Sequence, residues 1–358
     1  MGTNNIKVLH VIHSLSGGGA ETQLKILLRE SENVGIENHL YCVNPNAELT
    51  PDTKRYCCRR PARYYLSAYG ELYRLVRDIK PDLVHVWLPP TLTIPSLVAA
   101  KLNGVPCVTS FRNKMFFDSW LRRVDFFMQV LLSSGIISNN PPEQSHRFYQ
   151  WLYRRKSGQQ IANAIDMPKK YVGSALKNTN SSRLLFVGRL SPQKNLAVVI
   201  EALASIEDLQ GLYLDVFGQG ELEDELKQLV VSKGLEHAVI FHGFCSNIYQ
   251  EMAKGGVLVL PSVYEGMPNV LVEAMRCGMP CIASNIPANR AVLKDGDEAL
   301  LFEPKSSLAL AAIIKKMLAD EVNLNALADK GNQLSESFLP HILASKYKLA
   351  YNNILNIK

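Results

Sequence analysis

The sequence predicts an α/β protein made of two doubly wound, Rossmann-like parallel sheets, and three observations lead there. The chain has 358 residues, long for one hydrophobic core. Its first half alternates short apolar runs with amphipathic segments. After a polar stretch, NAIDMPKKYVGSALKNTNSS (163–182), the same alternation starts again.

The elements follow in order. IKVLHVI (6–12) is a continuous apolar run of the buried-strand kind. Gly17-Gly18-Gly19 come next, then AETQLKILLRES with helical spacing. NHLYCVN (38–44), DLVHVWL (82–88), PCVTSF (106–111) and GIISN (135–139) are further strands with helices between them. Such alternation favours parallel pairing through right-handed crossovers. The second series is RLLFVGRL, LYLDVFG, AVIFHGF, GVLVLPS, PCIAS and ALLFEP. The expected domains are 1–165 and 166–339. Segment 340–358 has helical periodicity and no following strand, and is expected to pack back on the first domain. Sheets of this kind bind ligands beyond the carboxyl ends of their strands, so a cleft between the domains is the default site.

Composition excludes several classes. Seven cysteines without a CxxC pair read as reduced thiols of a cytosolic protein. The N-terminal apolar run is too short for a signal peptide. The most apolar stretch elsewhere, FFMQVLLSSGII (126–137), is interrupted by Gln129, Ser133 and Ser134, so no bilayer span is expected. Charge is uneven. Residues 1–165 hold 20 Lys and Arg against 12 Asp and Glu, net +8, whereas the rest holds 19 against 21, net −2. The first half should face something anionic.

Three loops look able to hold phosphate. SLSGGGAET (14–22) lies between strand and helix, where backbone N–H groups favour anions. It lacks the Gly-Lys-Ser/Thr of a triphosphate loop. It also fails the dinucleotide fingerprint, because Thr22 stands where GxGxxG needs glycine; a bare glycine turn remains the alternative. In VFGQGELEDEL (216–226), the acids after Gly220 would repel a diphosphate, so it reads as a structural turn. FVGRLSPQKNLAVVIEAL (186–203) sets Arg189 and Lys194 on either side of a Ser-Pro turn, and these two cations suit a diphosphate. Taken alone, they could equally be solvated surface charges.

PSVYEGMPNVLVEAMRCGMPCIAS (261–284) carries two carboxylates. Pro268 pre-sets a first helical turn, while Gly278 and Pro280 read as a stop. Glu265 then precedes the helix and Glu273 lies inside it. The N–H groups of Gly266 to Asn269 are expected to be unfilled. An ionised carboxylate accepts two hydrogen bonds side by side, which matches a vicinal diol. A nucleotide sugar has one such diol on the ribose and one on the hexose, with a diphosphate between. The plainer alternative is an acid complementing a helix dipole.

At this point the chain resembles a retaining glycosyltransferase of family 4, with the GT-B fold of two facing Rossmann-like domains. The E-x7-E motif is Glu265 and Glu273. It is joined by VGRLSPQKN, FGQGELEDEL (217–226), SGGGAET, PDLVH (81–85) and NAID (163–166). The resemblance implies that residues 1–165 bind the acceptor and 166–339 the nucleotide-sugar donor. Arg189 and Lys194 would bind the diphosphate, Glu265 the hexose, and Glu273 the ribose diol. Gly266, Met267, Pro268 and Asn269 would surround sugar and phosphates, with Phe244 and Leu271 completing the donor set. Gly18 and Gly19 would close over the phosphates. The catalytic set is Glu265, Arg189 and Lys194, working by a front-face mechanism. No metal or other cofactor is expected. Where many relatives carry histidine, this chain has Arg112, read with Asn113 as an acceptor contact, since a guanidinium cannot act as a base.

The implied function is transfer of a hexose or N-acetylhexosamine, most simply from a UDP-sugar, to a glycan or polyprenyl-diphosphate-linked acceptor in surface-polysaccharide synthesis. Arg55, Arg59, Arg60, Arg63 and the stretch KMFFDSWLRRVDFFMQVLL (114–132) suit peripheral association with an anionic membrane from the cytoplasmic side; the plainer alternative is a core helix with solvated arginines. Nucleic acid is not an expected partner, since no binding motif accompanies the charge. An epimerase, a phosphorylase or a non-catalytic sugar-nucleotide-binding subunit stay open as alternatives.

Overall fold

A computed structural model of the protein describes residues 5–15, 19–44, 53–57, 65–87, 92–112, 120–139, 147–156, 158–176 and 181–356. The chain forms two compact units, Met1–Ala164 with Leu339–Lys358, and Ile165–Phe338.

In the first unit the strands are β1 (Ile6–Ser14), β2 (Ile36–Asn44), β3 (Lys54–Cys57), β4 (Leu83–Trp87), β5 (Cys107–Phe111), β6 (Gly135–Ser138) and β7 (Gln159–Gln160). They make one parallel sheet in the order β3-β2-β1-β4-β5-β6-β7. Its helices are α1 (Gly19–Glu30), α2 (Tyr65–Ile79), α3 (Thr93–Leu102), α4 (Trp120–Leu132), α5 (Arg147–Arg155) and the C-terminal helix, Pro340–Leu355. The packing of β1 explains the apolar residues on both of its faces. Val8 and Ile12 pack with Leu24 and Leu27 of α1 and with Leu343 and Tyr347 of the C-terminal helix. Leu9 and Val11 pack the other way, with Leu72 and Val76 of α2 and Leu97 of α3. A strand buried on both faces has no solvent side to alternate toward. Every strand expected in this half is present. The sheet also has two edge strands with no apolar signature, KRYC and QQ.

The second unit contains β8 (Arg183–Val187), α6 (Ala197–Ala204), β9 (Tyr213–Phe217), α7 (Glu223–Ser232), β10 (Val239–Gly243), α8 (Ile248–Met252) and β11 (Val257–Leu260). These are followed by α9 (Asn269–Cys277), β12 (Cys281–Ser284), α10 (Pro287–Arg290), β13 (Leu300–Phe302), α11 (Ser307–Leu318) and α12 (Leu324–Ser335); the C-terminal helix of the first unit is then α13. The parallel order is β10-β9-β8-β11-β12-β13. Relative to its first strand this is the doubly wound 3-2-1-4-5-6 order, whose winding reverses between β8 and β11. Leu184, Phe186, Leu214, Val216 and Val259 fill the interior against α6, α7 and α11. Where the chain enters and leaves this unit, the Ile165 N–H donates to the Phe338 carbonyl at 2.8 Å. No helix among the described residues is long and apolar enough to cross a membrane.

Candidate functional site

The winding reverses between β8 and β11, the point at which doubly wound sheets bind ligands beyond their strand ends, and both loops there carry candidate site residues. The loop after β8 holds Arg189 and Lys194; the loop after β11 holds Glu265. Backbone bonding fixes them together. The Val263 N–H donates to the Gln193 carbonyl at 2.9 Å, and Gln193 Nε2 returns a bond to the Tyr264 carbonyl at 3.0 Å. Between them Lys194 Nζ reaches Glu265 Oε1 at 2.6 Å, and Ser262 Oγ donates to the same oxygen at 2.6 Å. Glu265 is 6% exposed. For a carboxylate so withdrawn from water, the cation and the hydroxyl on it offset the cost of burial.

The loop after β8 is in turn fastened to its other neighbour. Gly188 N–H donates to the Phe217 carbonyl, Gly218 N–H to the Gly243 carbonyl, and Leu190 N–H to the Gln219 carbonyl. Gly218 has φ +139°, and a β-carbon there would strike the Gly188 carbonyl oxygen. One at Gly220 would strike the Leu190 carbonyl. The G-x-G of 218–220 is therefore a packing device that lets two strand-end loops touch, as its acidic flank suggests. Arg189, displayed by this clamped loop, is exposed and forms no ion pair among the described residues.

Helix α9 carries the second carboxylate. It starts at Asn269 with Pro268 as N-cap, one residue later than a helix with that proline in its first turn, and ends on Gly278 in the left-handed region at φ +83°. Leu271, Val272, Ala274 and Met275 face the core, and Glu273 is half-buried. Burial pushes the Glu273 carboxyl up to about 7. The Tyr249 hydroxyl donates to it at 3.5 Å. Burial and the neighbouring carboxylate keep that phenol protonated, its pKa raised.

Two expectations are corrected here. The Asn269 N–H is not unfilled, because it donates to the Met267 carbonyl at 3.0 Å. The Leu271 side chain is fully buried and packs inward, so it presents no surface to a ligand. Phe244, after β10, is 76% exposed. Gly266 and Met267 are partly exposed beside Glu265. In the first unit Gly19 is the first residue of α1, while Gly18 and Asn113 lie outside the described residues, as do Arg59, Arg60 and Arg63 and the side chain of Arg55.

Arg112, read as an acceptor contact, lies within the first unit. It is 7% exposed, just beyond the end of β5. One terminal nitrogen donates to Asn163 Oδ1 at 2.7 Å, the other to the Tyr347 hydroxyl. The guanidinium lies 4.7 Å from the Trp87 ring centroid. None of these partners is anionic. His85, beside it, is held well below the usual imidazole range by burial, with His10 and Arg112 adding to the effect. Arg112 thus ties the end of β5 to α13 and to the segment before Ala164. Gln23 of α1 grips Ala164 from the other side, giving Nε2 to its carbonyl at 2.9 Å and receiving its N–H at 2.6 Å.

Sequence reasoning missed Ser262, Gln193, Tyr249 and Gln23. Each is an ordinary polar residue until the fold brings its partner near. Only Ser262 had a local signal, three residues ahead of Glu265. Among the described residues no three His, Cys, Asp or Glu gather as metal ligands.

Comparison with known proteins shows what the whole chain is similar to. Residues 17–160 match the family described as Glycosyltransferase Family 4, and residues 169–334 match Glycosyl transferases group 1. The chain is 32% identical to a Campylobacter jejuni N-acetylgalactosamine-N,N'-diacetylbacillosaminyl-diphospho-undecaprenol 4-alpha-N-acetylgalactosaminyltransferase, over 91% of this chain and 94% of the relative. It is 31% identical to an Escherichia coli UDP-Gal:alpha-D-GlcNAc-diphosphoundecaprenol alpha-1,3-galactosyltransferase, over 65% of each. In fold it is similar to Anabaena HepE, solved in complex with UDP, with TM-score 0.76, 19% identity and coverage of 97% of this chain and 100% of that one. It is also similar to the lipopolysaccharide outer core galactosyltransferase WaaB, with TM-score 0.76, 17% identity and coverage of 97% and 99%.

Proposed function

This chain is a glycosyltransferase of family 4, and we propose that it moves a hexose or N-acetylhexosamine from a UDP-sugar to a lipid-linked glycan, with retention, at the inner face of the cytoplasmic membrane. The observation that carries the donor half of this reading is the Lys194–Glu265–Ser262 cluster at the reversal point of the second sheet, with Arg189 on the same loop as Lys194. The acceptor half is supported by the two relatives above, whose names specify diphosphoundecaprenol-linked acceptors and α linkages. An α-linked product made from an α-linked nucleotide donor is retention.

The residues divide the work. Lys194 has three N–H donors, so it can keep Glu265 and still donate to a phosphate oxygen. Arg189, exposed and in no ion pair among the described residues, meets the diphosphate with its planar fork. As the glycosidic bond breaks, negative charge grows on the departing phosphate, and both cations stabilise it there. Glu265, oriented by Ser262 and Lys194, accepts hydrogen bonds from hexose hydroxyls. Glu273 takes the ribose diol when ionised. The incoming hydroxyl gives its proton to the leaving phosphate on the same face of the sugar, which needs no enzymic nucleophile. Because two side-chain cations offset the leaving charge, transfer is expected to survive chelation of divalent metals.

The test is transfer from a panel of UDP-, GDP- and ADP-sugars to undecaprenyl-diphosphate-linked acceptors, with the anomeric configuration of the product read by NMR. A β-linked product from an α-linked donor, or hydride or epimerase chemistry without transfer, would overturn the reading.

A further inference from the structure

Surface helices ordinarily turn their polar residues to water. Helix α4 does the reverse. Its exposed side chains, among those described, are Val124, Phe127, Met128 and Leu131, at 45, 44, 37 and 54%. Spaced i, i+3, i+4 and i+7, they form one stripe. The opposite face is no less apolar: Phe126 and Val130 share a buried cluster with Tyr153 of α5. That cluster sets α5 beside α4, and Lys156 Nζ, just past α5, donates to the Leu131 and Ser133 carbonyls at 3.1 and 2.8 Å. Helix α5 contributes a different surface. Arg147, Trp151, Arg154 and Arg155 are exposed, and the Arg155 guanidinium stands 5.0 Å from the Trp151 ring centroid. Those three arginines form no ion pair among the described residues, and α5 contains no acid.

We propose that α4 and α5 together are a docking face for an anionic phospholipid bilayer. The α4 stripe enters the interfacial layer, Trp151 sits at head-group depth, and the α5 arginines meet lipid phosphates. Charge chooses this occupant. A second copy of the chain would set arginine against arginine across the contact, whereas an anionic bilayer supplies the missing counter-charge beside an apolar layer. The proposal rests on the lipid-linked acceptor reading for its purpose, not for its geometry.

The test is co-sedimentation of the full chain with vesicles of phosphatidylglycerol and phosphatidylcholine, against vesicles of phosphatidylcholine alone. Binding is expected only to the anionic vesicles. With about fivefold per arginine position, Arg147→Glu/Arg154→Glu/Arg155→Glu should weaken it about 100-fold or more, and Phe127→Ser/Leu131→Ser should weaken it separately. Unchanged thermal unfolding and UDP binding would show that these variants remain folded. Equal binding to neutral vesicles, no binding, or self-association in ultracentrifugation that Leu131→Arg abolishes would each overturn the proposal. Transfer to a detergent-solubilised acceptor that persists without vesicle binding would sink the docking face and leave the glycosyltransferase reading intact.

Discussion

Lys194 Nζ lies 2.6 Å from Glu265 Oε1, although 71 residues separate them in sequence. The contact joins the loops after β8 and β11, the two strands between which the winding of the second sheet reverses. Lys194→Ala would leave the Glu265 carboxylate with Ser262 but without its cation. Since the Lys194 side chain is 20% exposed, the loss should be about 2 kcal/mol, below that of a fully buried pair. Turnover should fall ~100-fold or more, because the same ammonium serves the leaving phosphate. Lys194→Ala/Glu265→Ala should destabilise by less than the sum of the single variants in urea denaturation. Simple additivity would mean the pair is not coupled.

Glu273 ties donor binding to pH. Its carboxyl titrates near 7 because it is buried, yet only the ionised form accepts both hydroxyls of a diol. UDP should bind more tightly as pH rises from 6 to 8, and Glu273→Gln should flatten that dependence. Stability runs the other way. The folded state holds this proton more firmly than the unfolded chain does, so the contribution is full below about 4.3 and is lost as pH rises toward 7. At pH 8, Glu273→Gln should therefore raise stability by about 2 kcal/mol while weakening UDP binding. A variant less stable than the wild type at pH 8 would contradict the burial argument.

Gly218→Ala tests the clamp beneath Arg189. The added methyl meets the Gly188 carbonyl, and φ is +139°, so a cost of about 2 kcal/mol or more is expected. Because the displaced loop carries both cations, kcat should fall by ~10-fold or more even in protein that stays folded, a roughly 1.4 kcal/mol loss. A variant with wild-type denaturation and kinetics would show that the two loops do not need the close approach.

Arg112→Ala separates two roles. Buried among Trp87, Asn163 and Tyr347, Arg112 holds three parts of the first unit, and its removal should cost about 3 kcal/mol. Arg112→Lys should recover little, since one ammonium cannot span both partners. If instead stability is unchanged and only the acceptor KM rises, Arg112 is the acceptor contact its sequence position suggests.

The strands were legible wherever a run of apolar residues had to be buried on both faces, as in IKVLHVI or GVLVLPS. β3 and β7 were not, because KRYC and QQ become strands only by pairing with β2 and β6. The E-x7-E line and the two cations were visible as motifs. Their partners were not: Ser262 on Glu265, Gln193 across to Tyr264, and Tyr249 over Glu273 depend on loops brought together by the sheet. Burial was the other blind spot. Arg112 was read as an acceptor contact, and nothing local announces the Trp87 face or the Tyr347 hydroxyl 235 residues away. The outer stripe of α4 lies in the stretch read as suited to a membrane or, more plainly, as a core helix; FFMQVLL alone does not show which residues face outward, and the fold does.

Calorimetric titration of UDP into the full chain tests the donor site most directly. The account predicts a saturable single site that weakens at least ~10-fold, about 1.4 kcal/mol, in both Arg189→Ala and Glu273→Ala, while Arg154→Glu leaves it unchanged. UDP that fails to bind, or that binds all three variants as it binds the wild type, would contradict the placement of the nucleotide sugar between Arg189 and the two glutamates.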